Sequence, residues 1–451
     1  MQLLFRSLYP AYRLLSAVRF WAVRRFTKTG AAVLTALLIV IPLAADTENN
    51  VAYQAACLLI ALLLAASMFG WVVRVRLAVE RRLPRFATVG DAVSFPVLLR
   101  NLTPRKQVGL VYLETLADAR PTSREWAAFQ RAEERRLRGI PVWRRQLRHP
   151  FRQARTEPVK IPTIPPGQSV EVQVSLTPLR RGVLHFTAAT IARPDPLGLF
   201  SALVKLPMPQ SLLVLPRRYL IPAVALPGSH KYQQGGVAMA SSVGQSDEFV
   251  SLREYKRGDP YRHIHWRSWA KTGVPIVKEH EDEFFVRHAL VLDTYSPSPF
   301  SEAFEEAVSI AASFACTIQT PESLLDLLFA GTEACCFTAG RGVGHSDQLL
   351  EVLASVRSQA ESKSFPLLEE LVVSHAAAFS GCVCVFLAWD QPRRELVKKL
   401  KILGTPLLVL LVVEPGRAHD LDPGPMRDAP QRFCVVEVGA VREGLAALNP
   451  S

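Results

Sequence analysis

Residues Glu248 to Glu281 read EFVSLREYKRGDPYRHIHWRSWAKTGVPIVKEHE, and the organisation of the chain unfolds outward from them. The stretch crowds together Arg253, Tyr255, Asp259, Arg262, His263, His265 and Trp266, side chains that need partners wherever they are buried. It stands just before an apolar strand, residues 289–292, that ends in Asp293. Its middle predicts a short helix marked at both ends. Asp259 suits the N-cap, where a carboxylate accepts free N–H groups of the first turn. Pro260 then falls at the first helical position, where its missing donor costs nothing, and Gly273 is a C-terminal stop. Tyr261, Ile264, His265 and Trp269 share a face at helical spacing, and Arg262 is placed to pair with Asp259. One reading is that the segment braces or presents a site at the top of the domain that follows. The other is a structural clasp, in which Trp266 and Tyr255 fill core and the charges pair with one another.

From residue 285 the pattern alternates strand and helix. Strands are predicted at 287–293, 323–330, 333–338, 381–388, 406–413 and 432–438, and helices at 302–319, 347–359, 366–378 and 392–403. Val383 to Leu387 is apolar without alternation, which suits a sheet covered on both faces. Residues 285–451 therefore predict a doubly wound α/β domain. Ligands of such domains bind beyond the carboxyl ends of the strands. Asp293 and Asp390 both lie there, each directly after an apolar strand. One reading is that the two carboxylates cap helices and turns. His263 and His265 are two apart, do not share a helical face, and read as packing or hydrogen-bonding residues. The glycine-rich residues 341–344 lack a P-loop lysine, and neither a G-x-S-x-G elbow nor a Cys/His nucleophile pattern is present.

Upstream, residues 216–247 read as a linker rich in Gly, Gln and Ser. Residues 74–215 predict a small all-β, sandwich-like domain. Short runs at 92–99, 108–116, 169–176, 183–191 and 211–215 are punctuated by Gly90-Asp91 and Pro165-Pro166-Gly167. A basic insertion, 119–160, interrupts it with Trp126, Phe129, Leu137, Trp143 and Phe151. It reads as a helix resting on anionic lipid or as a solvated insertion. Nucleic acid is a third choice with no accompanying fingerprint.

Residues 1–30 carry six Lys/Arg and no acid. Apolar runs follow at 31–45 and 51–73, separated by an acidic turn with Asp46 and Glu48, and Arg74 to Arg85 close the second flank. A bilayer core needs about 20 apolar residues per helix; the second run meets that and the first is short. Basic flanks outside an acidic turn predict a transmembrane hairpin over 31–73 with both ends in the cytoplasm. A signal peptide is rejected, because a second hydrophobic span follows and the basic lead is too long. Residues 3–26 predict an amphipathic helix lying on the inner leaflet.

The chain of 451 residues has room for two or three domains, and 49% hydrophobic against 21% charged residues excludes wholesale disorder. A net charge of +13 would usually point to nucleic acid. The excess is local, however: eleven Lys/Arg against three Asp/Glu in 1–85, and twelve against four in 120–160, leave the remainder slightly acidic. Seven cysteines without C-x-x-C or zinc spacing read as reduced thiols in a cytoplasmic domain.

The run E-F-x-x-L-R-x-Y-x-x-G-D-x-x-R-x-I-x-W, set by Glu248, Arg253, Tyr255, Gly258, Asp259, Arg262, Ile264 and Trp266, resembles the signature of a bacterial family, the domain of unknown function 58. Arg181-Gly182 and Asp195 to Phe200 resemble its R-G…D-P-x-G-L-F segment. Trp269 stands where that family usually has Ser or Thr. The resemblance implies a membrane anchor and a von Willebrand factor A-like C-terminal domain behind a signature clasp at 248–284. In von Willebrand factor A domains, D-x-S-x-S after the first strand helps hold a divalent cation. Here Tyr295 and Pro297 occupy the serine positions, so the set is degenerate, and the resemblance implies only a weak magnesium site of hard oxygen donors at Asp293, Ser296 and Asp390. The resemblance further implies a non-enzymatic scaffold in the bacterial inner membrane. Its partner would be a MoxR-type AAA+ ATPase in envelope or complex assembly, with no nucleic acid. A metal-assisted hydrolase using Asp293, Asp390 and His265, and lipid or nucleic-acid binding through 120–160, are the competing expectations.

Overall fold

The computed structural model describes residues 2–44, 50–72, 75–118, 120–137, 151–221, 249–259, 261, 264–280, 286–296, 301–318, 323–340, 346–359, 365–416 and 421–448. Three helices come first: α1 (Gln2–Arg25), α2 (Lys28–Leu43) and α3 (Asn50–Val72). Thr27 starts α2 by accepting the Gly30 N–H at 3.0 Å, the cap geometry expected of a hydroxyl residue. By length and composition α3 can cross a bilayer, whereas α2 is a shorter apolar helix. The two pack on each other.

A β domain follows: β1 (Leu77–Arg81), β2 (Phe86–Thr88), β3 (Val93–Asn101), β4 (Val111–Leu116), α4 (Ser123–Leu137), β5 (Ala154–Thr156), β6 (Val159–Lys160), β7 (Ser169–Pro178), β8 (Gly182–Pro194) and β9 (Ser201–Leu215). One sheet has the order β1-β3-β7-β5 and the other β2-β9-β8-β4-β6. Alternate residues of β3, Phe95, Val97 and Leu99, are buried, the period-two signature of a strand with one covered face. They share a core with Val174 and Leu176 of the same sheet and with Tyr112, Phe186, Ile191 and Leu212 of the other. Within it Glu114 accepts the Tyr112 hydroxyl at 2.6 Å and an Arg81 N–H at 2.6 Å. Burial pushes the Glu114 carboxyl up, against the pull of Tyr112 and Arg81. Arg81, expected as a juxtamembrane flank charge, is thus a core residue. It also donates to Gln210 at 2.7 Å and to the Met208 carbonyl at 2.8 Å.

In the described part of the basic insertion, two aromatic side chains turn toward the protein. Trp126 and Phe129 of α4 are buried. Trp126 stacks on Tyr12 of α1 at 5.3 Å and lies 6.0 Å from Tyr9, and Phe129 meets Phe151 at 5.4 Å. Trp126 thus closes an α1–α4 contact. Residues 138–150, with Trp143, lie outside the described residues. Glu125 and Thr122 close a reciprocal capping box, the Thr122 N–H reaching Glu125 at 2.8 Å.

Next come β10 (Phe249–Glu254), α5 (Trp266–Thr272) and β11 (Ile276–His280), then β12 (Val286–Leu292), α6 (Glu302–Thr317), β13 (Ser323–Ala330), β14 (Ala334–Ala339), α7 (Ser346–Ser355), α8 (Phe365–His375), β15 (Gly381–Phe386), α9 (Gln391–Ile402), β16 (Leu407–Val413), β17 (Phe433–Glu437) and α10 (Val441–Ala446). β10 and β11 form their own antiparallel pair. The last six strands form one sheet in the order β14-β13-β12-β15-β16-β17. β14 pairs antiparallel and the other neighbours are parallel. Helices α6, α7 and α10 bury against one face of this sheet and α8 and α9 against the other. Double coverage is why β15 and β16 are unbroken apolar runs.

The expected linker is ordered in its first residues. Tyr219 donates its N–H to Ser313 at 2.7 Å and its hydroxyl to Glu306 at 2.6 Å, so the chain leaving β9 lies along α6. Residues 222–247 lie outside the described residues.

Candidate functional site

Strand order places β12 beside β15, with successive connections leaving in opposite directions, the position where α/β folds open a crevice beyond the strand ends. Asp293 follows β12 there and is fully buried. Its Oδ1 accepts the Tyr295 N–H at 3.0 Å, and its Oδ2 accepts the Leu387 N–H at 3.1 Å just past β15. Asp390 is the N-cap of α9. The side chain between them is Arg393, buried in the first turn of that helix. Its Nε donates to Asp293 Oδ2 at 2.7 Å and its Nη1 to Asp390 Oδ2 at 2.6 Å. Its guanidinium carbon sits 4.7 Å from the centre of the Phe365 ring. Burial alone would lower the arginine pKa; the two carboxylates outweigh it and raise it.

Around this core the loop after β12 is tied down. Thr294 donates its hydroxyl to the Ala330 carbonyl. The Gln359 N–H reaches the Thr294 carbonyl at 2.8 Å, and the Ser296 N–H reaches the Gln359 carbonyl at 3.0 Å. Tyr295 packs edge-on against Phe365 at 6.0 Å. The structure therefore brings Asp293 and Asp390 together, as the magnesium expectation requires, but around a guanidinium. A hard divalent ion wants about six oxygens at close range, and the oxygens that the two carboxylates turn to each other each accept an arginine N–H. The donor set does not fit the ion. Among the described residues no group of three or more His, Cys, Asp or Glu is arranged to hold a metal. Sequence inspection overlooked Arg393. The available signal was its place: a cation in the first turn opposes the helix dipole, so it needs a local anion.

The signature segment folds differently from the expected helix. Arg253 grips Asp259 in a two-pronged pair, Nη1 to Oδ2 at 2.7 Å and Nη2 to Oδ1 at 2.9 Å, and the Lys256 N–H donates to the same carboxylate at 2.8 Å. Asp259 closes a turn, with Gly258 at φ 113°; of the four residues after it only Tyr261, in a 3-10 turn, is described. The helix begins at Trp266, after His265, whose N–H bonds the Ile276 carbonyl at 2.8 Å. The stop at Gly273 is as expected, left-handed at φ 76° with its N–H on the Trp269 carbonyl. His265 Nδ1 pairs with Ser268 Oγ at 2.7 Å. Ile264 is buried and bridges Val277. Trp266 does not fill core: it is 63% exposed and stacks on Trp269 at 5.3 Å. Tyr255, also expected in the core, is half-buried and stacks on Tyr261 at 6.1 Å. Glu248, Pro260, Arg262 and His263 lie outside the described residues.

The two remaining motif fragments sit at opposite ends of β8. Arg181 precedes it and is buried against the α/β domain. It pairs with Glu305 of α6 and donates to the carbonyls of Leu353 at 3.1 Å and Val356 at 2.7 Å, where α7 ends. Asp195 follows β8. Its carboxylate accepts the N–H groups of Leu197, Leu199 and Phe200 at 3.1, 2.7 and 2.7 Å. The turn so made is held by α2: Thr27 donates its N–H to the Leu199 carbonyl at 3.1 Å and its hydroxyl to the Gly198 carbonyl. Gly30 lies so close that an added Cβ would fall 1.9 Å from the Leu199 oxygen. Phe200 packs on Phe26, Leu62 and Ala66.

These features define a protein with apolar N-terminal helices, a β domain and an α/β domain, joined at both ends of one strand. Residues 251–418 match the family described as "Protein of unknown function DUF58", in line with the resemblance expected from the signature. The chain is 26% identical over 195 residues to the uncharacterized protein YeaD of Bacillus subtilis, covering 43% of this chain and 47% of that protein, so it spans about half the relative's length. Among solved structures, Salmonella alpha-2-macroglobulin is 15% identical over 34% of this chain and 9% of that one, with a TM-score of 0.19. The CARDB domain of a Pyrococcus furiosus protein is 11% identical over 31% of this chain and 93% of that one, with a TM-score of 0.15.

Proposed function

We propose that the chain is a membrane-held, non-enzymatic interaction protein of the bacterial inner membrane, whose α/β head engages a protein partner. The observation that carries this reading is the filled crevice. Where an α/β enzyme or metal-dependent adhesin keeps open ligand positions, Asp293 and Asp390 are engaged by Arg393. A metal-assisted hydrolase built on those carboxylates would first have to displace the guanidinium.

The finer parts of the proposal rest on several supports. A six-stranded sheet with a single antiparallel strand at its β14 edge supports a von Willebrand factor A-like head. The contact between α2 and α3, with basic residues on both outer flanks, supports a transmembrane hairpin with both ends in the cytoplasm. Leu14, Leu15, Val18 and Phe20 of α1 are exposed while Tyr9 and Tyr12 are docked, which supports an interfacial helix. The resemblance of the signature supports a MoxR-type AAA+ ATPase as the partner. Solubilised protein from native membranes should bring such an ATPase with it. Repeated absence of the ATPase, or turnover of a substrate by the purified head, would remove the proposal.

A further inference from the structure

Two carboxylates converge at the crevice between β12 and β15 from separate elements, and one of them is wholly buried. Asp293 is fixed by the backbone N–H groups of Tyr295 and Leu387. Asp390 is fixed as the cap of α9. Asp293 is the buried one of the two, and a buried anion without a compensating charge is strongly disfavoured. The compensating charge comes from the same chain. Arg393 reaches both carboxylates with two different nitrogens, and Phe365 covers its guanidinium. Leu396, Val397 and Leu400 of α9 are fully buried, so the helix that carries Arg393 is anchored against the sheet.

We propose that Arg393 is the resident cation of this crevice, standing where an exchangeable divalent ion would otherwise be needed. The strand-end loops are then set at any magnesium concentration, and whatever docks there does so without metal. This goes beyond the interaction role and holds whichever partner is bound.

The test uses the full chain in detergent, with thermal midpoints read in EDTA, in magnesium chloride and in manganese chloride. The wild type is expected to melt at one midpoint in all three. Arg393→Lys keeps a charge and is expected to melt lower yet stay indifferent to metal. Arg393→Ala is expected to fall by several degrees in EDTA and to recover part of the loss in manganese, a recovery abolished by adding Asp293→Asn. A wild-type midpoint that rises with magnesium, and no longer does so in Asp293→Asn, overturns the proposal. So does an Arg393→Ala protein that melts like wild type in EDTA. If Arg393→Ala does not fold, the wild type, Asp293→Asn and Arg393→Lys decide alone: metal-indifference of the wild type and the lysine variant supports the proposal, and a magnesium response lost with Asp293 defeats it.

Discussion

Arg181 Nη2 donates to the Val356 carbonyl oxygen at 2.7 Å, across the boundary between the β domain and the α/β head. The last carbonyls of a helix have no partner within it, and here a neighbouring domain supplies the donor. Arg181→Ala leaves the Val356 and Leu353 carbonyls without it. An unmet buried polar group costs about 1–3 kcal/mol. The expected outcome is a lower first unfolding transition and faster proteolysis between the two domains. Unchanged protease sensitivity would show that the clamp is dispensable.

Gly30 lies directly against the backbone of the β domain. Gly30→Ala places a methyl group 1.9 Å from a backbone oxygen that cannot move aside alone. The Asp195 to Phe200 turn is expected to lift off α2, lowering the melting midpoint in detergent by several degrees. Thr29→Ala removes two exposed hydrogen bonds, Thr29 Oγ1 to the Gly198 carbonyl at 2.6 Å and to Thr27 Oγ1 at 2.8 Å, and should cost about 1 kcal/mol. The ordering of the two variants is the check.

Asp259 makes the signature turn sensitive to acid. The Arg253 guanidinium, then the Lys256 N–H, holds its carboxyl down at about 2. A carboxyl lowered on folding stabilises fully above its unfolded pKa, and that support is lost as pH falls through the folded value. Protection of the Lys256 amide against hydrogen exchange should hold at neutral pH and decline between about pH 4 and about pH 2. In Asp259→Asn it should be weak at every pH.

Trp266 separates a core role from a surface one. A tryptophan lost from a core costs about 3–5 kcal/mol, whereas an exposed stacked ring contributes about 1 kcal/mol. Trp266→Ala is expected to shift the urea midpoint little while removing a fluorescence component open to acrylamide quenching. A large loss of stability would return Trp266 to the core.

Much of the head was legible because helical and strand periods are local. The strand 323–330 was expected to the residue, and unbroken apolar runs announced a sheet covered on both faces. The helix expected over 347–359 ends at Ser355, because Gln359 is drawn into hydrogen bonds with Thr294 and Ser296. That competition comes from a loop some sixty residues away and leaves no mark on local pattern. The Arg253 to Asp259 pair is hidden for the same reason: the two residues meet only across a turn. Asp293 and Asp390 were found from their place after strands, but Arg393 was hidden, since an arginine near a helix start looks like surface charge. Arg81 was hidden likewise, as its partner Glu114 lies on another strand.

β8 links both ends of the molecule. Arg181 at its start grips the head and Asp195 at its finish shapes the turn that receives α2. Thirteen extended residues span roughly 40 Å. The stand-off between the apolar helices and the head is therefore gauged by one rigid strut, and the reach of anything grasped by the head is written in its residue count. Removing two residues would draw the head in by about 7 Å without turning the strand over.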